Sequence, residues 1–342
     1  MIAALVALLP VIAFLLVLFF FDSFKLVPRR MVIRALASGA VAAAAALLLH
    51  TWLFQVTGLG TRAFARTIAP FTEETLKALC LLYPLRRRQL GFLVDAAIIG
   101  FAIGSGFALV ENIEYLRALA RPNPLVWLVR GFGTAVMHAS TTAIVALLAK
   151  TLNDRYPSRG LVLMAPGWAI AVGLHATFNR ALVSPLLAAA VLLLVVPLVI
   201  VAVFERSERL TREWVGDGLD LDVELLALIR SSHFGETRLG RYLTELQSRF
   251  PGPVVADMFC LLQLELELGI RAKGMLMARE AGFEIPIDEE IRALLAEREY
   301  LHRAIGPTGL LALRPLQVTS HRDEWHRYLL RQADTRDRKG RG

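Results

Sequence analysis

The chain has 342 residues, of which 56% are hydrophobic, and a formal charge of +8. Its apolar content is concentrated before residue 205, in runs long enough to cross a bilayer, which excludes an ordinary soluble globular domain. Residues 1–204 hold 17 Lys/Arg against 7 Asp/Glu and residues 205–342 hold 21 against 23, so the basic surplus reads as a membrane-topology signal and not as a nucleic-acid footprint.

The first run, residues 2–21 (IAALVALLPVIAFLLVLFFF), lacks the basic leading segment of a signal peptide and predicts a retained span with a kink at Pro10. Further spans are expected at about 32–56, 67–85, 92–116, 125–149, 160–181 and 183–204, close to the roughly 17–25 residues a spanning helix needs. The third of these is the shortest and most polar. Alternate connections carry thirteen Lys/Arg on one side, from Lys25 to Arg212, and five on the other: Arg62, Arg66, Arg117, Arg121 and Arg180. Because basic residues accumulate on the cytoplasmic side, the N-terminus is expected outside and the C-terminus in the cytoplasm.

Residues 205–332 alternate apolar and charged positions at helical spacing, as in DVELLALIRSS and EEIRALLAEREYLHRAIG. They predict a small α-helical cytoplasmic domain able to bind a protein partner, with 333–342 as a disordered tail. The fold class is therefore all-α: a polytopic bundle over 1–204 of about seven spans, followed by that domain. His233, His302, His321 and His326 fall in charge-rich surroundings and read as surface or structural residues. Cys80 and Cys260 form no CxxC pair and read as small core residues.

Ionisable side chains inside a bilayer cost on the order of 2.5–3.5 kcal/mol each on insertion scales, so those present mark protein interiors or wet cavities. The spans contain Glu73, Glu74, Lys77, Glu111, Asn112, Glu114, Arg130, His138, His175 and Asn179. At about 1.5 Å per residue from the cytoplasmic ends, Glu73 and Glu74 lie about 15–18 Å up, His138 about 18 Å, His175 about 22 Å and Glu111 about 28 Å. Four helices can thus share one cavity. Arg130 with Glu114 reads as a structural pair near the outer face, and His50, alone near the outer end of its span, as an interfacial residue.

Local spacing adds to this. Gly100, Gly104 and Ala108 form a small-residue stripe for close helix approach, with Phe107 and Glu111 on a neighbouring face. His175 and Asn179 are four apart and project together. Lys77 is four after Glu73 and three after Glu74, so it can neutralise one of the two carboxylates.

The EExxK string at Glu73–Lys77, FxxxEN at Phe107–Asn112, MHAST around His138 and HxxxN at His175–Asn179 together resemble the PrsW family of intramembrane proteases. That family belongs to the wider group containing the CAAX prenyl endopeptidases. The resemblance covers about residues 60–182. It implies hydrolysis of peptide bonds in membrane-anchored substrates such as anti-sigma factors, within a bacterial cell membrane. Carried over residue by residue, Glu73 or Glu74 activates water, and His175 with Asn179 stabilises the oxyanion. Glu111 and His138 orient water or a glutamate, with Lys77, Phe107 and Asn112 in support. The prenyl endopeptidases have EExxxR and FxxxH where this chain has EExxK and FxxxE, which separates Glu111 from the role of their histidine.

Two chemistries fit these residues. In one, glutamate acts without a metal, which the lack of an HExxH helix favours. In the other, Glu74, Glu111, His138 and His175 supply ligands for Zn²⁺ with an open position for water. The competing functions are an ion-coupled transporter, for which no second EExxK-like segment is present, and a catalytically inert membrane sensor.

Overall fold

The computed structural model describes residues 2–20, 22, 27–87, 89–118, 124–156, 162–283, 285, 288–313 and 315. The expected tail at 333–342, with His321 and His326, lies outside them. The regular structure of the described residues is helical, without strands. The helices are α1 (Ile2–Phe20), α2 (Arg29–Thr57), α3 (Thr61–Arg86), α4 (Leu93–Ala118), α5 (Pro124–Leu128), α6 (Ala135–Arg155), α7 (Ala165–Arg180), α8 (Pro185–Arg230), α9 (Arg238–Leu246), α10 (Gly252–Glu280) and α11 (Glu289–Leu313). Two compact units are formed by residues 1–208 and 209–342, and the division falls within α8.

Among the described residues, five helical stretches are long and apolar enough to cross a membrane: Arg29–Thr57, Leu93–Ala118, Leu125–Arg155, Val162–Arg180 and Pro185–Arg230, with Leu5–Phe20 a shorter apolar helix. A helix also occupies the polar third segment. In α3 the usual amphipathic arrangement is inverted, because Glu73, Glu74, Lys77, Ala78 and Leu81 face the bundle while Phe71, Leu79 and Tyr83 are exposed. That inversion suits a helix whose solvent is lipid and whose polar groups need protein partners.

The centre of the first unit is α4, buried continuously from Val94 to Ala108 and packed most extensively on α6 and α2. Small residues permit this. A Cβ on Gly104 would overlap the His138 carbonyl of α6, one on Gly100 would meet Ala143 and Thr142, and one on Gly106 would overlap the Leu36 carbonyl of α2. Backbones that approach this closely gain packing without side-chain entropy loss, the dominant attraction between helices in lipid.

Between α5 and α6 the chain makes a π-helical turn, Val129–Thr134, that carries Arg130. Such turns widen a helix by one residue and recur at functional sites. Periodicity does not reveal this turn, since the residues around it are uniformly apolar or small.

The second unit packs α9, α10 and α11 around Leu243, Met258, Leu261, Leu268, Leu301 and Ile305. Lys273, almost completely buried, is held by Asp222 Oδ2 and the Gly218 carbonyl, both at 2.7 Å. Cys260 is exposed, contrary to its reading as a core residue: Val255, Met258, Leu261 and Leu268 take the inward face of α10 and residue 260 falls on the other.

Candidate active site

Glu73 and Glu74 are consecutive on α3, so their side chains leave the helix about 100° apart and reach different partners. Glu74 is fully buried, and its Oε1 is the focus of three groups. Lys77 Nζ lies 2.7 Å away, His175 Nδ1 2.8 Å away, and the Thr141 hydroxyl donates to it at 3.2 Å. Lys77 therefore neutralises the glutamate one helical turn before it, and both side chains are sealed from solvent.

Glu73 meets different groups. Among the described residues the basic groups within 4.0 Å of it are all histidines: His175 Nε2 at 3.8 Å and His138 Nε2 at 4.0 Å from Oε2, and His50 Nδ1 at 3.9 Å from Oε1. Oε2 is buried and accepts no hydrogen bond from the described residues. The His138 and His175 rings stand edge to face with centroids 4.7 Å apart.

Around this centre, α4 supplies Phe107, whose ring packs on His138 at 5.2 Å, and Glu111, whose Oε2 is 2.9 Å from His138 Nε2. Arg130 Nη2 holds the other Glu111 oxygen at 3.0 Å, and Arg130 Nε donates to Asn112 Oδ1 at 2.9 Å. Asn112 in turn donates to the Ala7 carbonyl of α1 at 2.7 Å. Arg130 is thus paired with Glu111, not with Glu114, which binds the exposed Arg117 at 3.0 Å. Glu111 lies on the inward side of α4, whereas Glu114, three residues on, is turned away.

The structure brings together Glu73, Glu74, Lys77, Phe107, Glu111, Asn112, His138 and His175, in contacts that link α3, α4, α6 and α7. Asn179 is elsewhere: its amide donates to the Ala65 carbonyl at 2.9 Å, eight residues before Glu73 and about 12 Å along α3. Two residues escaped the sequence reading. His50 is not alone, because it reaches Glu73 and Thr72 from α2. Thr141 completes the shell of Glu74. The depth rule could have found His50, since its position on α2 puts it level with Glu111; Thr141 gives no such signal.

Exposure is graded across the cluster. The side chains of Glu74, Lys77, His138 and His175 are at most 2% exposed, whereas those of Glu73, His50 and Glu111 are 11, 20 and 25% exposed. The site is closed behind Glu74 and open on the side of Glu73, His50 and Glu111.

Among the described residues, one set of donors suits a metal ion: a ligand atom from each of Glu73, His138 and His175 lies within 4.8 Å of the others. Glu74, expected among the ligands, instead stands behind His175 and binds Nδ1, which presents Nε2 to the cluster; such a carboxylate behind a ligating imidazole is usual at metal sites. The separations of 3.8 and 4.0 Å exceed the about 3.4 Å between ligand atoms on a tetrahedral zinc, so a small contraction completes the fit. His138 Nδ1 lies 3.1 Å from Lys77 Nζ, an ammonium that can only donate, so Nδ1 accepts and the ring proton sits on Nε2, toward Glu111 Oε2 at 2.9 Å. For Nε2 to hold an ion, Lys77 would have to leave Nδ1 and the proton move there.

A family model described as "PrsW family intramembrane metalloprotease" matches residues 27–204, more than half of the chain and a longer stretch than the motifs alone span. No curated protein and no solved structure matches the chain. With its apolar helices and its converging Glu/His groups, the chain belongs to the PrsW family of intramembrane metalloproteases and is a membrane peptidase.

Proposed function

We propose that this peptidase cleaves membrane-anchored proteins at a site where Glu73, His138 and His175 hold a divalent ion, zinc by donor type. The observation that carries this reading is the convergence of Glu73 Oε2 on two imidazole Nε2 atoms, with Glu74 engaged behind one of them. Bound there, the ion would supply Lewis acidity and lower the energy of deprotonating water. Glu111 lies beside His138 at the open edge and is the carboxylate placed to take a proton from water, with Arg130 fixing its second oxygen. As the water oxygen bonds to the peptide carbonyl carbon, that proton passes by way of the carboxylate to the leaving nitrogen, and the C–N bond breaks. For Asn179 to serve the oxyanion, its amide would have to leave Ala65.

One observation supports a second chemistry. Glu73 has no Lys or Arg within ion-pair distance among the described residues and is partly exposed, so it can itself act as the base without a metal. Metal analysis of purified protein separates the two. Stoichiometric zinc, lost with activity on chelation and restored with it, supports the first; full activity in metal-stripped protein defeats it.

The seven-span topology, with the N-terminus outside and the C-terminus in the cytoplasm, follows from the charge distribution, which makes 205–332 a cytoplasmic domain, open to a protein partner. A reporter fused after residue 342 that proved extracytoplasmic would overturn the orientation. Comparative membrane proteomics of cells carrying wild type or Glu73→Ala/Glu74→Ala identifies the substrate as a membrane protein that accumulates uncleaved only in the variant. Identical processing in both strains would remove these residues from catalysis.

A further inference from the structure

We infer that His50 is a positioning residue of this site: its Nδ1 and Glu73 Oε1 share one water molecule, which fixes the carboxylate with Oε2 turned toward His138 and His175. This rests on the proposal that Glu73 is central to the reaction, whether as ligand or as base.

The argument starts from Thr72. Its hydroxyl has one proton, and the Ile68 and Ala69 carbonyls of the preceding turn lie 2.9 and 3.0 Å away to receive it. Toward His50 Nε2, 2.6 Å away, the hydroxyl oxygen can then only accept. Nε2 therefore carries the imidazole proton, and Nδ1 of the neutral ring presents a lone pair.

That lone pair faces Glu73 Oε1 at 3.9 Å. Two acceptors at this distance do not bond each other, but a water about 2.8 Å from each can donate one of its two protons to each of them. The location suits it, since the His50 and Glu73 side chains are on the open side of the cluster, 20 and 11% exposed. The ring is held for the task. Phe64 packs edge-on to it with centroids 5.3 Å apart, and Phe54 backs Phe64 in the same manner at 5.6 Å. Among the described residues, no other α2 side chain forms an ion pair with Glu73.

The test compares two substitutions that keep opposite ends of the ring. His50→Asn keeps an acceptor near the Nδ1 position and loses the reach to Thr72; His50→Gln keeps a group near Nε2 able to bind Thr72 and leaves nothing at Nδ1. Each is expressed with Glu73→Gln as a reference, and the processing rate of the membrane protein that accumulates in Glu73→Ala/Glu74→Ala cells is followed at matched protein levels. Holding a water predicts that His50→Asn stays within about threefold of wild type while His50→Gln falls about 100-fold, the scale of a 1 Å misplacement in an active site. The reverse ranking would show a structural link through Thr72 and overturn the proposal, as would equal activity or equal loss in the two variants. Full processing by Glu73→Gln would instead remove the parent reading of Glu73, a result distinct from any outcome at residue 50.

Discussion

His175 Nδ1 is 2.8 Å from Glu74 Oε1, while Nε2 of the same ring is 3.8 Å from Glu73 Oε2. One imidazole thus separates the two glutamates of the EExxK string and assigns them different work. Glu74, closed off with Lys77 and Thr141, fixes the ring; Glu73, with histidines and no Lys or Arg within 4.0 Å among the described residues, faces the open side. Adjacent identical residues acquire distinct chemistry because a helix turns them toward different neighbours.

The Glu74–Lys77 pair sets the first expectation. Both side chains are 0% exposed, so Glu74→Gln leaves an ammonium and Lys77→Met leaves a carboxylate buried without its partner. Each single change should lower stability by about 3–5 kcal/mol, and the double variant should regain most of that loss because neither charge remains. Cleavage should stay lost in the double variant, since His175 no longer has a carboxylate on Nδ1. Thermal unfolding in detergent, paired with substrate processing, checks both halves.

Metal content gives a second expectation. His138→Ala and His175→Ala each delete a ligand and should abolish stoichiometric zinc in purified protein. Glu74→Gln takes the carboxylate from behind His175, and Lys77→Met, added to preserve folding, also takes the ammonium from behind His138. With both ligands kept, the double variant should weaken zinc binding by about 10–100-fold, the usual effect of removing such a support, and not abolish it. Competition with a chelator of known affinity measures the difference. Undiminished zinc in the His175→Ala variant would disprove this assignment of ligands.

Much of this site is legible in the sequence because buried charge in a membrane is rare enough to be informative. The depth count puts Glu73, His138 and His175 near one level, and the three-residue offset of Lys77 from Glu74 allows the contact that forms. What spacing cannot supply is direction within a level. Glu111 and Glu114 differ by less than one turn, yet Glu111 meets Arg130 and His138 whereas Glu114 meets Arg117. Spacing likewise puts His175 and Asn179 on one side of α7, but the amide is taken by a backbone carbonyl of α3 before it reaches the carboxylates. The π-helical turn at Arg130 depends on packing against α1, where a Cβ at Gly131 would overlap the Val6 carbonyl, and no local pattern announces it.

Gly104 offers a test of the close approach between α4 and α6. A Cβ there meets the backbone of His138 and Ala139, which cannot rotate aside as a side chain would. Gly104→Ala should cost about 1–3 kcal/mol by forcing the helices apart, and should impair cleavage because the displaced residue is His138 itself. Gly173→Ala on α7, where an added methyl meets nothing within 4 Å, is the control and should be neutral or stabilising by up to about 1 kcal/mol. Melting temperatures of the two variants in the same detergent provide the comparison.

Arg130 gives the last expectation, because its fork joins two residues that one nitrogen cannot serve. Nη2 holds Glu111 and Nε holds Asn112, with the guanidinium stacked 3.5 Å from the Tyr115 ring centroid. Lysine keeps the positive charge but offers a single donor group without the planar fork, so Arg130→Lys should lose one charge-assisted hydrogen bond, about 1.5–3 kcal/mol. Arg130→Met should cost more, as it leaves Glu111 beside His138 without its cation, and adding Glu111→Gln should recover part of that stability. Cleavage should fall in all three variants through the rate of turnover, with substrate affinity little changed, since the guanidinium acts by fixing Glu111. A change confined to affinity would instead place Arg130 in contact with the substrate and take the positioning role from it.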